Sequence, residues 1–462
     1  MKKKLFIFIY CSLIALLTSC SNYLDVQPKG QIIPKTAEDF STIIHYWLDQ
    51  IEKGADDVII SSSAEKVTLE TFAEDLNATL ASNYSYTNIY VGSAINKNQN
   101  FYQTLYSVIK DCNMIIGNME DTESELARTL LGTAWSIRSI CYYNLMLRYC
   151  ESYRPETAIE TLGLPLVNEF NMEDKPARAN LKETAEFIEK GLQKAISYNV
   201  VNEDFLFTSS VAKAYLARLL FWTQDWNNAI TYAKEVLEKY PMLEANEFVE
   251  AINQKQKKTH NVIIRSFTED DNIGALNYNT AQSDIRKRPV DKNLIDLFAI
   301  TPNDIRQTCS YDSKRLVTKV VTSKLRSEEL CLIIAEAYAH LPNKEAEALN
   351  YLNLLRSKRI TQDYTAYTMN DLPEVFPQLI TTDATGTPLT KLMSAILCER
   401  RKEMFVEGDR WFELKRNGCP EFWIAANGKK FITEKYLYSY PIPKTDINLF
   451  PGLIIQNPGY EK

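Results

Sequence analysis

Residues 210–241 read SVAKAYLARLLFWTQDWNNAITYAKEVLEKYP, and this stretch decides the fold. Apolar residues recur every three to four positions on both sides of Gln224-Asp225-Trp226, the spacing that lines one face of an α-helix. The reading is two helices joined by a short turn. Leu216, Ala217, Ala229 and Pro241 fall where a tetratricopeptide unit wants a large residue, a small contact residue, a second small one and a helix stop. Such a hairpin gains its stability by stacking on neighbours, so the stretch reads as part of a repeat scaffold with a binding face rather than an isolated helical pair.

The same periodicity extends in both directions. Ser323 to Lys358 is a second, more degenerate pair, with Ala335-Glu336-Ala337, Ala346 and Ala348 as its small contacts. Tyr102 to Met119 carries Leu105, Val108, Ile109, Cys112, Ile115 and Ile116 on one face. Glu125 to Arg148 repeats the pattern through Leu130, Ala134, Ile137, Cys141, Leu145 and Met146, so these two are expected to pack as an antiparallel pair. Glu38 to Lys53, Leu181 to Tyr198 and Lys391 to Arg416 complete the predicted helices. Three segments break the pattern: the polar stretch 56–100, an irregular insertion at 261–311, and a tail at 417–462. The tail carries Pro441, Pro443 and Pro458, is too proline-rich to be helical and is expected to lie extended over the body. The fold class is mostly α: tetratricopeptide-like helical pairs interrupted by irregular loop insertions.

At the N-terminus, Lys2, Lys3 and Lys4 precede Leu5 to Leu17, an apolar run broken only by Ser12. Charge followed by an apolar stretch is the order of a secretory signal, and the run falls short of the roughly 20 residues that span a bilayer. It ends in Leu17-Thr18-Ser19-Cys20, which resembles the lipobox of bacterial lipoproteins. Residues 1–19 are therefore expected to leave as a signal peptide and Cys20 to become the lipid-bearing N-terminus, since only a thiol serves as the acceptor. The alternative is an ordinary signal peptide with a cysteine near its cleavage site. Asn22 to Pro34, with Pro28 and Gly30, reads as an extended tether into a single domain over 20–462.

Without the three signal lysines, 49 basic residues face 59 acidic ones, a formal charge of −10. That balance argues against a nucleic-acid partner. Beyond Cys11 and Cys20, seven cysteines remain: Cys112, Cys141, Cys150, Cys309, Cys331, Cys398 and Cys419. Seven cannot all pair, and none forms the C-x-x-C spacing of zinc or redox sites. They read as buried apolar residues, with one or two disulfides left open. His45, His260 and His340 lie far apart, so neither a metal, a cofactor nor histidine-based catalysis is expected.

Several segments together resemble the SusD/RagB family. The strongest runs from Glu399 to Arg416 (ERRKEMFVEGDRWFELKR), followed by Pro441-Ile442-Pro443 and by Gln456-Asn457-Pro458-Gly459-Tyr460. Tyr23-Leu24-Asp25, Leu105-Tyr106 with Asn113, and Leu164-Pro165-Leu166-Val167 also match, so the resemblance covers nearly the whole chain after Cys20. It implies a multiply acylated, surface-exposed outer-membrane lipoprotein with a body of tetratricopeptide-like helical pairs, whose irregular loop insertions form the ligand face. Such a protein captures oligosaccharides or, in some members, peptides, and passes them to a SusC-like TonB-dependent transporter. A tetratricopeptide scaffold that docks envelope proteins without binding nutrient is the competing reading. The family often places a tryptophan just before the first long helix; here Phe101 stands there.

The carboxylates Glu399, Glu403 and Glu407 recur every four residues, on one face of the predicted last helix. Glycoside hydrolysis needs two carboxyl groups facing each other across a sugar, one with a raised pKa. Arginine and lysine interleave these three and would hold them ionised, so the block reads as structural ion pairing and the protein as a non-enzyme. Trp411 and Phe412 read as helix core. Ligand candidates are aromatics outside the core helices: Tyr84, Tyr86 and Tyr90 in the first insertion, Tyr278 and Tyr311 in the second. Their rings would stack on the C–H face of a sugar, with Asn88, Asn279 or Asp284 meeting its hydroxyls. The acidic run Glu269-Asp270-Asp271-Asn272 lacks the spaced ligands of a calcium loop and reads as a solvated turn.

Overall fold

The structure is a computed structural model that describes residues 34–53, 58–81, 90–95, 100–171, 173–254, 258–266 and 272–460. The signal segment, Cys20, most of the tether, Tyr84, Tyr86, Asn88 and the acidic run 269–271 lie outside them. Helix α1 (Ala37–Glu52) starts at Thr36, which exchanges reciprocal hydrogen bonds with Asp39 in a capping box. The body continues through α2 (Ser63–Phe72), α3 (Asn100–Asn118), α4 (Glu125–Tyr149), α5 (Leu181–Ser197), α6 (Ser209–Trp222) and α7 (Trp226–Lys239). It is completed by α8 (Asn272–Ile285), α9 (Ser327–Ala339), α10 (Glu345–Ser357), α11 (Lys391–Met404) and α12 (Arg410–Arg416).

From α3 to α7, and then through α9 to α10, each helix packs on the next, giving the tetratricopeptide-like superhelix that the periodicity predicts. In the α6–α7 hairpin the turn closes at Gln224 with a positive φ of 67°, and Asp225 caps α7. Leu216, Ala217 and Ala229 are fully buried, so the small residues let the two backbones approach. In the α9–α10 pair Ala335, Ala337 and Ala348 play this part, whereas Ala346 is exposed. Helix α4 is buried nearly all round, as an apolar helix at the centre of a bundle must be. All seven cysteines described are free, six of them buried.

Three expectations need correction. The predicted last helix breaks after Met404, and α12 begins only at Arg410. Val406 (φ 68°) and Gly408 (φ 71°) reverse the chain between them, so Glu407 leaves the helix face it was expected to share. A Cβ on Gly408 would sit 3.0 Å from Leu69 Cδ1 and from Lys66 Cδ, on a backbone that L-residues rarely adopt. Gly408→Ala is therefore expected to cost about 1–3 kcal/mol of stability, measurable by urea denaturation.

The insertions are also more ordered than their polarity suggested. Residues 56–100 contain α2, started by Ser62, whose hydroxyl accepts from the Glu65 N–H. After the short antiparallel pair of β1 (Leu162–Pro165) and β2 (Arg178–Asn180), which leads into α5, residues 261–311 hold β3 (Val262–Arg265), paired antiparallel with β4 (Lys324–Arg326), then α8 and the short helices Lys292–Ala299 and Ile305–Ser310. Their apolar side chains Ile285, Val290, Leu294 and Phe298 form a core of their own with Phe405 and Val406.

The tail, finally, is not simply extended. It contains the hairpin of β5 (Phe422–Ala426) and β6 (Lys429–Thr433) and a short helix, Lys444–Leu449. The closing motif has a clear structural task. Gln456 exchanges two hydrogen bonds with the backbone of Ile442, and the Asn457 amide donates to the carbonyls of Tyr149 and Tyr440. Lys415 donates to the carbonyls of Leu147 and Cys150, so side chains satisfy the carbonyls at the buried C-terminal end of α4.

Candidate functional site

In the C-terminal hairpin, Asn427 and Gly428 separate two runs of alternating side chains. Both have positive φ, 51° and 70°, the geometry of a type I′ turn, whose twist matches that of the flanking strands. Alternation then sends Trp423 and its cross-strand partner Ile432 to one face, and Phe422, Ile424 and Phe431 to the other. Phe422 joins an apolar cluster with Leu69, Phe72 and Trp411, and Phe431 meets the Tyr90 ring at 5.0 Å. Trp423 is left 59% exposed, with the Lys430 ammonium 4.9 Å from its ring. A large indole held open to solvent on a rigid hairpin is what a sugar-stacking platform requires.

Strand β5 forms one wall of an open groove of about 530 Å³; segments 74–79, 291–293 and 377–379 form the others. Backbone bonds zip the walls together: Asn77 N–H donates to the Pro289 carbonyl, and Asp291 N–H to the Asp75 carbonyl. The Thr79 hydroxyl donates to the Ala425 carbonyl at 2.7 Å, tying the hairpin to this frame. Asn77 Nδ2 donates to Asp291 Oδ2 at 2.9 Å, and Asn293 Nδ2 to the Pro377 carbonyl at 3.0 Å. Fixed amides and carboxylates thus stand beside an apolar ring, the two kinds of contact that a sugar's hydroxyls and C–H face need.

The charged block lies directly behind this groove. Arg401 donates to Asp75 Oδ1 at 2.7 Å and to Asn293 Oδ1 at 2.8 Å. Arg410 donates to Glu74 Oε1 at 3.0 Å and to Gln378 Oε1 at 3.3 Å. Two arginines of the C-terminal motif therefore hold three of the four groove segments in place.

Deeper in, Glu403 accepts from Arg306, Arg326 and Arg359 at 2.6–3.2 Å. Glu407 reaches Lys319 and Arg326, and Arg306 also pairs with Asp304. Burial opposes ionisation of Glu403, yet Arg359, Arg326 and Arg306 outweigh it and hold the carboxyl well below its usual range. Glu399 and Glu407 are lowered in the same way, so these three carboxylates are held ionised, whereas burial pushes Glu413 of the same motif up to about 7 against the pull of Arg410.

Glu70 behaves in the opposite way. It is buried and accepts from Gly408 N–H at 2.8 Å; burial and the nearby Asp75 push it up to about 8, against the pull of that bond and of Lys319. Between its ordinary value of 4.5 and about 8, the folded state keeps a proton that the unfolded state releases, so stability falls as pH rises across that window. Glu70→Gln keeps the acceptor and removes the titration. Its melting temperature is expected to gain on the wild type between pH 5 and pH 8.

Of the ligand candidates named from sequence, Tyr90 alone among the described tyrosines meets the groove hairpin. Tyr278 is only 8% exposed, and its hydroxyl donates to Gln282 at 3.2 Å. Tyr311 packs its ring on Phe298 at 5.9 Å. The second insertion folds as a packed unit that buries the Tyr278 ring and half-buries that of Tyr311. Asn279 is exposed on α8, and Asp284 pairs with Lys287. Phe101 lies 4.5 Å from the Arg148 guanidinium as a packing partner. Trp411 is fully buried and Phe412 partly so, as core residues. Sequence reasoning missed Trp423; the Asn427-Gly428 pair between alternating residues was the signal that could have found it.

Residues 22–221 match a family model described as starch-binding and associating with the outer membrane, and residues 317–460 match the model of the SusD family. A SusD superfamily protein from Bacteroides thetaiotaomicron superposes with a TM-score of 0.70 at 17% identity, covering 92% of this chain and 100% of the other. A SusD-like carbohydrate-binding protein from Bacteroides vulgatus gives 0.66 at 17% identity, covering 90% and 97%. A laminarin-binding SusD-like protein gives 0.60 at 15% identity, covering 92% and 100%. At these identities the likeness is one of fold. No curated protein matches the sequence. Among the described residues no helix is long and apolar enough to cross a membrane.

Proposed function

The chain belongs to the SusD/RagB family, and on that premise we propose that it captures oligosaccharides at the cell surface and delivers them to a TonB-dependent outer-membrane transporter. In this reading Cys20 carries the lipid that keeps the protein beside its transporter, and the protein binds without catalysing. The observation that carries the proposal is the open Trp423 indole beside the buttressed amides of the groove. Indole stacking takes the apolar face of a sugar ring, while Asn77, Asp291 and Asn293 meet hydroxyls. Tyr84, Tyr86 and Asn88 lie outside the described residues and stand as further candidate contacts. Asn279, exposed on α8 and outside the groove lining, stands as a separate candidate contact.

A combined array of glycans and peptides tests the ligand class. Saturable binding of a glucan or another oligosaccharide supports the reading. Binding of peptides alone, or co-purification of an envelope partner with no small ligand, contradicts it.

A further inference from the structure

A second cavity, of about 90 Å³, lies among α2, α4, α6, α9 and the chain from Arg400 to Arg416, remote in function from the sugar groove. One water needs roughly 10–15 Å³ of such space, so it holds several waters or one small polyatomic ion. Its lining is charged, and the charges are unevenly matched.

Four carboxylates face it, and each already has a cation. Glu329 pairs with Arg218, Glu407 with Lys319 and Arg326, Asp409 with Arg400, and Glu413 with Arg410. The donors are not matched in return. Lys66 and Lys324, both half-buried at the cavity, make no ion pair among the described residues. Arg400 spends Nε and Nη2 on Asp409, and its buried Nη1 has no hydrogen-bond partner among the described residues. The Trp222 indole N–H, on a side chain 5% exposed, has none either. Arg400 Nη1 and the Trp222 indole N–H are thus two buried donors without an acceptor, and Lys66 and Lys324 add two unpaired positive charges at the same small space, so an acceptor that carries negative charge is called for.

We propose that this cavity is an interior site for a small tetrahedral oxyanion of sulfate or phosphate size, held by Lys66, Lys324, Arg400 Nη1 and the Trp222 indole N–H. An ion of this shape offers acceptors in four directions, and charge-assisted bonds to ammonium and guanidinium groups are the stronger kind. Burial depresses the Lys66 ammonium and pushes Lys324 down to about 8, which a bound anion would reverse.

The test is calorimetric titration of the purified full chain with sodium sulfate and sodium phosphate at constant ionic strength, beside the Lys66→Met, Lys324→Met and Trp222→Phe variants. One saturable site is expected, weakened at least tenfold in each lysine variant and several-fold in Trp222→Phe. Lys53→Met, an exposed lysine elsewhere, should leave it unchanged. A selenate soak should place an anomalous peak among the four donors. Absence of saturable binding, equal affinity in the lysine variants, or a cavity holding water only would overturn the proposal. So would a Lys66→Met protein that is stabilised relative to the wild type with no dependence on the anion, since that marks a merely unfavourable charge.

Discussion

Replacing Glu403 with alanine is expected to lower the free energy of unfolding by about 3–5 kcal/mol, the usual cost of removing one partner from a buried ion pair. The carboxylate is 1% exposed and neutralises parts of three arginines at once. Arg306 retains Asp304, Arg326 retains Glu407 and Arg359 retains Glu328, so no single arginine is stripped of every partner. The shared charge is nonetheless lost inside the protein, where water cannot replace it. Because the pairs are buried, the loss should be nearly the same in 0.1 M and 1 M salt, unlike that of a surface pair. The wild type should also lose stability as pH falls below the ordinary carboxylate range, since a group with a depressed folded pKa contributes above its unfolded pKa and must be protonated on acid unfolding. Denaturant titrations of wild type and variant at two salt concentrations and two pH values measure both effects. A loss below about 1 kcal/mol would mean that the network is dispensable.

Trp423→Ala is expected to weaken oligosaccharide binding by at least tenfold, about 1.4 kcal/mol, with little change in stability. The indole is mostly exposed, so its removal leaves no buried cavity, and the hairpin keeps its turn, its ladder and the Thr79 bond to Ala425. Binding and stability should therefore separate in this variant. Arg401→Met should not separate them, because that side chain fixes both Asp75 and Asn293 from within the core.

How far this could be read from sequence differs between elements for physical reasons. The helical pairs were legible because their signal is local: a 3.6-residue period, alanines at the close contacts, and a turn residue such as Gln224. The charged block was legible as ion pairing because arginine and lysine alternate with glutamate. Its break at Val406 to Gly408 was not, since the reversal exists to carry Glu407 back to Arg326 and Lys319, residues some eighty positions earlier. Tyr278 shows the same limit from another side. Helix α8 has no strong apolar stripe, so whether its one ring, Tyr278, is covered depends on its packing against α2. The groove is less local still: Asn77 meets Asp291 across 214 residues and Thr79 meets Ala425 across 346. Only the Asn427-Gly428 turn was written plainly in the chain, and reading the tail through its prolines passed over it.

The most direct measurement is a crystal structure of the protein with an oligosaccharide found on the array. The account predicts a sugar ring stacked on Trp423, with hydroxyls within hydrogen-bond distance of Asn77, Asp291 or Asn293. A ligand seated elsewhere on the molecule, with the Trp423 face empty, would contradict it.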